Sequence, residues 1–472
     1  MTAKNSLQAI VLAAGTSSRF KSETPKLLFT LCGQEMLLYP LKALQRLSIP
    51  ITLVIGHRKE LIKRFVEQHQ FEALSFVEQK QQLGTGHAVA ATMPTWYADN
   101  ILVMNGDIPL ITPQLIHELI EQHEKSHAAV SFIIAHNSDP SSAAGYGRVV
   151  THDGHISIVE MRDFNDDPSA YPFVNAGVYI FQKDFLRRHI NSLKTHENSR
   201  EIYLPDLIEI ASKQGLPVTT ITAVFDHIRG INTLKELWIA EQIKRAEIIE
   251  HWMLHGVRFT YAQSTHIDID VEIGEGTCIE SGVQLLAGTR IGRQCHIGSF
   301  SSIKASVLAP HVTIKDHSII SNATIGESAQ VGPFAYIHNN TNISAEAVVG
   351  FCVEVSKSSL EQKTKVKHLS YIGNGQIGPR VTIGAGTVFC NYDGKNKHTT
   401  SVEHDAFIGS NTSLVAPVTV GHHAITAAGS TITQDVPPHA LAIARSRQEN
   451  KDGYAHKIRG SVPVAGAVKM EE

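Results

Sequence analysis

The sequence predicts an α/β domain with a mostly parallel sheet, joined by a connecting helix to a left-handed parallel β-helix. Three observations carry this. Short β-branched runs alternate with longer amphipathic stretches from Leu7 to about residue 228, a helical pattern starts at Thr233, and beyond it aliphatic residues recur every six positions to about residue 447. At 472 residues the chain has room for two or more folding units, and 42% hydrophobic against 18% charged residues excludes global disorder.

Ala9 to Leu12, Ile51 to Ile55, Ile101 to Met104, Val130 to Ala135, Val174 to Phe181 and Val218 to Val224 read as strands. Helical segments of ten or more residues between them imply crossover connections and a sheet covered on both faces. Ligands of such sheets gather at strand carboxyl ends. Thr233-Leu-Lys-Glu236 has the form of a capping box, and Ile239, Ile243, Ala246, Ile249 and Met253 repeat at helical spacing, with Gly256 placed to stop the helix.

The six-residue period runs through Ile273, Ile279, Leu285, Ile291, Ile297 and Ile303, then Ile319, Ile325, Val331, Ile337, Ile343, Val349 and Val355. Ile377, Ile383 and Phe389, then Val402, Ile408, Leu414 and Val420, extend it. Such a period fits neither a helix nor a hairpin; its solution is a triangular coil whose recurring aliphatics stack inward. Gly follows many of them and reads as the residue of a tight corner, while slips near 309, 361 and 395 read as loops. The expected boundaries are 1–232, 233–255 for the helix, 256–447 for the coil and 448–472 for a flexible tail.

Lys plus Arg (42) nearly balance Asp plus Glu (45), which excludes the basic footprint of a nucleic-acid binder. The five cysteines form no C-x-x-C pair, and the apolar stretch from Leu7 to Ala14 is too short to span a membrane. A cytoplasmic protein is expected.

Leu12-Ala13-Ala14-Gly15 follows the first strand with small residues that let backbone N–H groups approach phosphate, and Arg19 and Lys26 follow as cations. Neither G-x-G-x-x-G nor the Walker pattern occurs there, which argues against hydride transfer and P-loop hydrolysis. Asn105-Gly106-Asp107 puts a carboxylate just past a probable central strand, where it can hold a hard cation such as Mg²⁺. Asn232 is a candidate partner, or simply the residue preceding the helix cap. In the coil, Lys367-His368-Leu-Ser-Tyr371 interrupts the register and Cys390 to Lys397 reads as a polar loop. A histidine there can take the proton of an attacking amine.

In order along the chain, Leu-Ala-Ala-Gly with Arg19 and Lys26, Gln79, Leu83-Gly-Thr-Gly-His87, Gly106-Asp107, Gly145-Tyr-Gly-Arg148, Ile158-Val-Glu160, Asn175-Ala-Gly177 and Gly230-Ile-Asn232 resemble the Rossmann-like sugar-1-phosphate nucleotidyltransferases. With the hexapeptide half, almost the whole chain resembles the bacterial bifunctional N-acetylglucosamine-1-phosphate uridylyltransferase and glucosamine-1-phosphate N-acetyltransferase family. The resemblance implies that Gln79, Gly84 and Thr85 hold uracil and that the Leu12 to Gly15 backbone, Arg19 and Lys26 hold the triphosphate of UTP. It implies Asn105, Gly106 and Asp107 at the nucleotide-sugar site, Asp107 and Asn232 as Mg²⁺ ligands, and Gly147, Glu160 and Asn175 against the N-acetylglucosamine portion.

For the coil the resemblance implies His368 as general base, Glu354, Tyr371, Asn391, Tyr392 and Lys397 around glucosamine 1-phosphate, and Ala385, Asn391, Tyr392, Ser410, Ala428 and Arg445 along acetyl-CoA. It also implies a homotrimer. Departures stand at Thr16-Ser17-Ser18, where the family has a basic, glycine-richer turn, and at Asn105, where an aromatic is common. In the coil His338 replaces an arginine, Ser356 a lysine with Lys357 one place late, and Thr382 an asparagine. A one-residue displacement in a strand turns a side chain to the other face, so Lys357 is not an equivalent of the missing lysine. Three readings follow: both transfers with acetyl transfer weakened, uridylyl transfer alone on a structural coil, or a non-catalytic regulatory subunit.

Overall fold

The computed structural model describes residues 6–16, 18–136, 145–164, 167 and 170–460. They form two compact units. The first comprises 6–255 with 266–271 and 285–288, and the second comprises 256–265, 272–284 and the chain from 289 on. Ser17 and residues 461–472 of the expected tail lie outside the described residues.

Strands of the first unit are β1 (Leu7–Ala13), the short pair β2 (Thr30–Leu31) and β3 (Gln34–Glu35), β4 (Ile51–Ile55), β5 (Leu74–Glu78), β6 (Asn100–Asn105), β7 (Val130–His136), β8 (Arg148–His152), β9 (His155–Val159), β10 (Phe173–Gln182) and β11 (Val218–Ala223). Among the described residues the main sheet runs β11-β7-β10-β6-β1-β4-β5, with the β8–β9 hairpin attached to β10. Helices α1 (Leu38–Arg46), α2 (Lys59–Glu67), α3 (Thr85–Ala91), α4 (Pro113–Ser126), α5 (Lys183–His189) and α6 (Asp206–Lys213) lie between strands. β1 is covered on both faces, as its unbroken Ala9-Ile10-Val11 run requires, and pairs in parallel with β4 and β6.

All six expected strands are present. β10 runs antiparallel to both β6 and β7, so the sheet is mixed at its middle. β5 and the β8–β9 hairpin were not anticipated. β5 is an edge strand with intermediate or exposed residues, so it lacks the apolar run that marks a buried parallel strand. A register shift interrupts β10 between Asn175 and Tyr179. Gly177 sits in that shift with φ 71°, where a Cβ would lie 2.5 Å from Asn105 Nδ2.

α7 (Leu234–Leu254) starts from Thr233, whose Oγ1 accepts from the Glu236 N–H at 3.2 Å. Glu236 Oε2 in turn accepts from the Asn232 N–H at 2.7 Å. Its buried residues are Leu237, Ala240, Ile248 and Ile249, so of the stripe read from the sequence only Ile249 is on the buried side.

In the second unit parallel strands stack into three sheets, which makes a hexapeptide-repeat β-helix. Two readings are corrected. The slips near 309 and 361 are single-residue shortenings rather than loops, since the inward residues run Ile303, Leu308, Ile314, Ile320, Ile325 and Val355, Leu360, Val366 without a break. In the second run the inward residue is Ile320, fully buried, and not the expected Ile319, which is 49% exposed. The slip near 395 is a loop, which leaves after Cys390 and returns at Thr400.

The glycines after the aliphatics also serve a different purpose from the one expected. Of the glycines that directly follow Ile273, Ile291, Ile297, Ile325, Val331, Val349, Ile377, Ile383, Ile408 and Val420, only Gly332 has positive φ, and the left-handed corners fall mostly on other residues, such as Arg380, Asp405 and His423. A Cβ on Gly274 would lie 2.4 Å from the next coil's backbone, and on Gly350 at 2.1 Å. Their hydrogens let successive coils approach. α8 (Tyr454–Arg459) is short and exposed. Among the described residues no helix is long and apolar enough to cross a membrane.

Candidate active sites

Because β1 and β6 are neighbours in parallel, with Leu12 opposite Asn105, their carboxyl ends deliver the small-residue turn and Asp107 side by side. The Ile231 N–H donates to the Asp107 carbonyl at 2.9 Å and brings in Asn232 from far along the chain. Lys26 Nζ then reaches Asp107 Oδ2 at 2.6 Å, Asn232 Oδ1 at 2.9 Å and the Ile231 carbonyl at 3.1 Å. Arg19 donates to the same Asn232 Oδ1 at 2.8 Å. Four residues singled out in the sequence thus converge on one point.

Two adjoining cavities meet there, sharing Leu12, Thr85, Asn105, Asp107 and Glu201. The larger, about 370 Å³, is lined by Ala13, Ala14, Gly15, Lys26, Gln79 and Gly84 as well. Gln79 is fixed on its floor, donating to the Gly84 carbonyl at 3.1 Å with its amide nitrogen also 3.1 Å from His87 Nδ1. Gly84 begins α3 with φ 103°, and a Cβ would meet the Ile202 carbonyl at 2.5 Å. The second cavity, about 260 Å³, adds Arg19, Gly147, Glu160, Asn175 and Asn232. Gly106 lines neither; its N–H donates to the Leu12 carbonyl at 2.9 Å and ties β6 to β1.

In the second cavity a Cβ on Gly147 would lie 3.1 Å from Glu160 Oε1, so glycine leaves room for that carboxyl. Burial first, then the nearby Asp206, Glu201 and Asp163, push Glu160 up to about 7. Asn175 is held between Tyr179 Oη, to which it donates at 2.6 Å, and the Gly177 N–H, from which it accepts at 3.1 Å. Sequence reasoning missed Tyr146, whose Oη accepts from the Gly230 N–H at 2.6 Å and anchors the segment carrying Asn232. It also missed Glu201, which lines both cavities from a stretch without a motif.

In the second unit, registers place His338, Ser356 and Gly373 in one column and Tyr336, Glu354 and Tyr371 in the next. A Cβ on Gly373 would lie 2.5 Å from both Tyr371 Oη and Asn391 Nδ2, so the two groups converge over this glycine. Asn391 Nδ2 donates to Asn374 Oδ1 at 2.8 Å. His338 Nε2 lies 3.1 Å from Glu354 Oε1, and Ser356 Oγ accepts from Asn339 at 3.0 Å. Lys357 occupies a left-handed corner beyond Ser356. Thr382 lies on the neighbouring sheet, paired with Lys365.

His368 ends the strand Lys365–His368 with its side chain exposed, three residues before Tyr371. Tyr392 and Lys397 bridge across the base of the loop. Asp393, unremarked in the sequence, organises that loop. Its Oδ1 accepts the N–H groups of Lys395 and Asn396, and its Oδ2 lies 2.6 Å from His398 Nε2. Backbone bonds, Asn396 first, and His398 hold its carboxyl well below the usual range. Ala385, Ser410 and Ala428 follow one edge through successive coils, with Asn411 N–H to the Ala385 carbonyl at 2.7 Å and Gly429 N–H to the Ser410 carbonyl at 2.8 Å. Arg445 Cδ packs 3.7 Å from the position of a Cβ on Gly429.

A nucleotidyltransferase-type α/β unit and a hexapeptide-repeat transferase coil on one chain define a bifunctional transferase. Residues 9–202 match the MobA-like NTP transferase domain, 270–305 the bacterial transferase hexapeptide and 399–434 the hexapeptide repeat of succinyl-transferase. The chain belongs to the family of the bifunctional protein GlmU. It is 40% identical over 452 residues to that of Exiguobacterium sibiricum, covering 94% of this chain and 99% of the relative. Identity is 38% to that of Clostridium botulinum strain ATCC 19397 (95% and 98% covered) and 37% to that of Halalkalibacterium halodurans (95% and 98%).

Proposed function

We propose that the chain performs two successive transfers of UDP-N-acetylglucosamine synthesis. Acetyl passes from acetyl-CoA to glucosamine 1-phosphate on the coil. Uridylyl then passes from UTP to N-acetylglucosamine 1-phosphate in the first unit, releasing pyrophosphate. The convergence of Arg19, Lys26, Asp107 and Asn232 where two cavities meet carries the reading.

In uridylyl transfer a sugar-phosphate oxygen attacks the α-phosphorus of UTP, a P–O bond forms, and the bond to pyrophosphate breaks. Such a step needs in-line positioning and charge neutralisation more than a covalent nucleophile. The larger cavity suits the nucleotide, with Gln79, Gly84 and Thr85 at the base and the Leu12–Gly15 backbone at the phosphates. Gly147, Glu160 and Asn175 suit the sugar, and Asn105 lines both. The Lys26 ammonium between Asp107 Oδ2 and Asn232 Oδ1 is a cation held by both oxygens, so this donor pair fits Mg²⁺. When bound, Mg²⁺ would supply charge to the phosphates. Lys26, released from Asp107, and Arg19 would bind the phosphates from the protein side.

On the coil, the amine of glucosamine 1-phosphate attacks the thioester carbonyl, forming C–N and breaking C–S, while His368 takes the amine proton. Glu354, Tyr371, Asn391, Tyr392 and Lys397 orient the acceptor. Asn391 and Tyr392 also border acetyl-CoA, which lies along Ala385, Ser410, Ala428 and Arg445. Family membership supports a homotrimer, and five unpaired thiols among the described residues support the cytoplasm.

Assaying the two half-reactions separately tests this. His368→Ala should lower acetyl transfer by roughly 10²-fold and leave pyrophosphate release from UTP unchanged. Equal loss of both, or of neither, would refute the assignment.

Glu160 gives a pH dependence. Its carboxylate accepts sugar hydroxyls when ionised, so KM for N-acetylglucosamine 1-phosphate should fall as pH rises through about 7. Comparing the pH profile with that of Glu160→Gln separates this from titration of the substrate phosphate. An unchanged profile in the variant would remove Glu160 from the sugar site. Folding linkage has the opposite sign. The unfolded chain ionises first, so this group's contribution to stability is lost as pH climbs from the ordinary carboxylate range towards 7.

A further inference from the structure

One corner of the coil carries chemistry that neither transfer uses. Asp405, His423 and His439 occupy left-handed corner positions, with φ 59°, 55° and 60°. His404 and His422 directly precede the first two. Backbone bonds from the His423 N–H to the His404 carbonyl (3.1 Å) and from the His439 N–H to the His422 carbonyl (3.0 Å) hold them in register. The imidazoles therefore form two columns. His404 and His422 stack at 5.0 Å and 3°, and His423 and His439 at 5.1 Å and 11°, with the columns nearly perpendicular.

Donor atoms of His404, Asp405 and His423 all lie within 4.8 Å of one another. His422 adds a buried Nδ1 without a hydrogen-bond partner. Two imidazole nitrogens and a carboxylate oxygen are the donor set of a borderline divalent cation such as Zn²⁺ or Ni²⁺, and a poor one for Mg²⁺. Zinc bonds of about 2.0–2.1 Å need a tight donor cluster; His404 Nδ1 and Asp405 Oδ2 are already close, and rotation of the exposed His423 side chain can bring its nitrogen in. Asp405 already has a cationic partner: Arg380 Nε donates to its Oδ1 at 2.7 Å and Arg380 Nη2 to its Oδ2 at 2.5 Å. His404 Nδ1 lies 3.0 Å from Asp405 Oδ2.

We propose that His404, Asp405 and His423 form a second metal site, selective for a borderline divalent cation, that clips two successive coils together. Its ligands sit on successive coils of the chain, and by mass action its occupancy stabilises the coil that carries it. Arg380 competes with the cation for Asp405.

The test uses the full chain with Asp107→Ala, which removes the front carboxylate, titrated with Zn²⁺ calorimetrically and with Co²⁺ for its absorption spectrum. We expect one Zn²⁺ per chain with micromolar affinity, undisplaced by millimolar Mg²⁺, and a Co²⁺ spectrum indicating imidazole ligation. Adding His404→Gln and His423→Asn should weaken binding at least about tenfold; asparagine tolerates the left-handed corner, so the backbone is preserved. Adding Arg380→Gln alone should tighten binding about threefold or more by freeing Asp405. Absence of binding overturns the proposal, as does binding indifferent to His404→Gln/His423→Asn or unaffected by Arg380→Gln. Those last results would mean adventitious capture by other histidines.

Discussion

Asp107→Ala should abolish pyrophosphate release from UTP and N-acetylglucosamine 1-phosphate, by about 10³-fold or more, and leave acetyl transfer by the same molecules intact. The expectation rests on Asp107 being the one carboxylate among the groups that grip Lys26. Of the oxygens that hold the Lys26 ammonium, Asp107 Oδ2 is the anionic one, while Asn232 Oδ1 and the Ile231 carbonyl are neutral. Without the carboxylate the donor pair for Mg²⁺ falls to a single amide oxygen, shared with Arg19. Lys26 keeps two acceptors, so the segment carrying Asn232 stays anchored, and Tyr146 holds it independently through Gly230. Acetyl transfer measured on the same sample reports that the coil is folded. Pyrophosphate release within about threefold of the native rate would show that the convergence of these residues is not where phosphoryl chemistry occurs.

The sequence made this convergence legible because each partner follows a marked element. Asp107 follows a buried apolar strand, Lys26 and Arg19 follow a small-residue turn, and Asn232 precedes a capping box. What it could not yield were residues whose roles depend on contacts remote in sequence. Glu201 enters both cavities because the Ile202 N–H bonds to the Leu83 carbonyl, and no periodicity announces that contact. Tyr146 stood inside a motif already noted, but its bond to Gly230 depends on the fold.

In the coil, the six-residue period was strong enough to reveal the architecture yet too coarse to give its phase. A step shortened by one residue moves the inward position from Ile319 to Ile320 while leaving an aliphatic at both. Glycine was likewise ambiguous. A tight corner and a close backbone approach both demand a missing Cβ, and the Cβ clearance at Gly274 and Gly350 decides for approach.

His338→Arg combined with Ser356→Lys should raise kcat/KM for glucosamine 1-phosphate by about 10²- to 10⁴-fold, since each restored charge-assisted contact contributes about 1.5–3 kcal/mol. The native column is poor in free cations. His338 Nε2 is turned to Glu354 at 3.1 Å, and Ser356 is buried and engaged with Asn339 at 3.0 Å. Lys357 lies at the next corner and not in the column. The replacements would set two cations beside Gly373, where Tyr371 and Asn391 already converge. The decisive readout is the preference for glucosamine 1-phosphate over glucosamine. Packing changes would alter both acceptors together, whereas new phosphate contacts raise only the phosphorylated one. Native enzyme should discriminate weakly and the double variant strongly, with uridylyl transfer unchanged in both. If the ratio stays flat while the fold is intact, the acceptor's phosphate is held elsewhere, and the departures at His338 and Ser356 do not limit acetyl transfer.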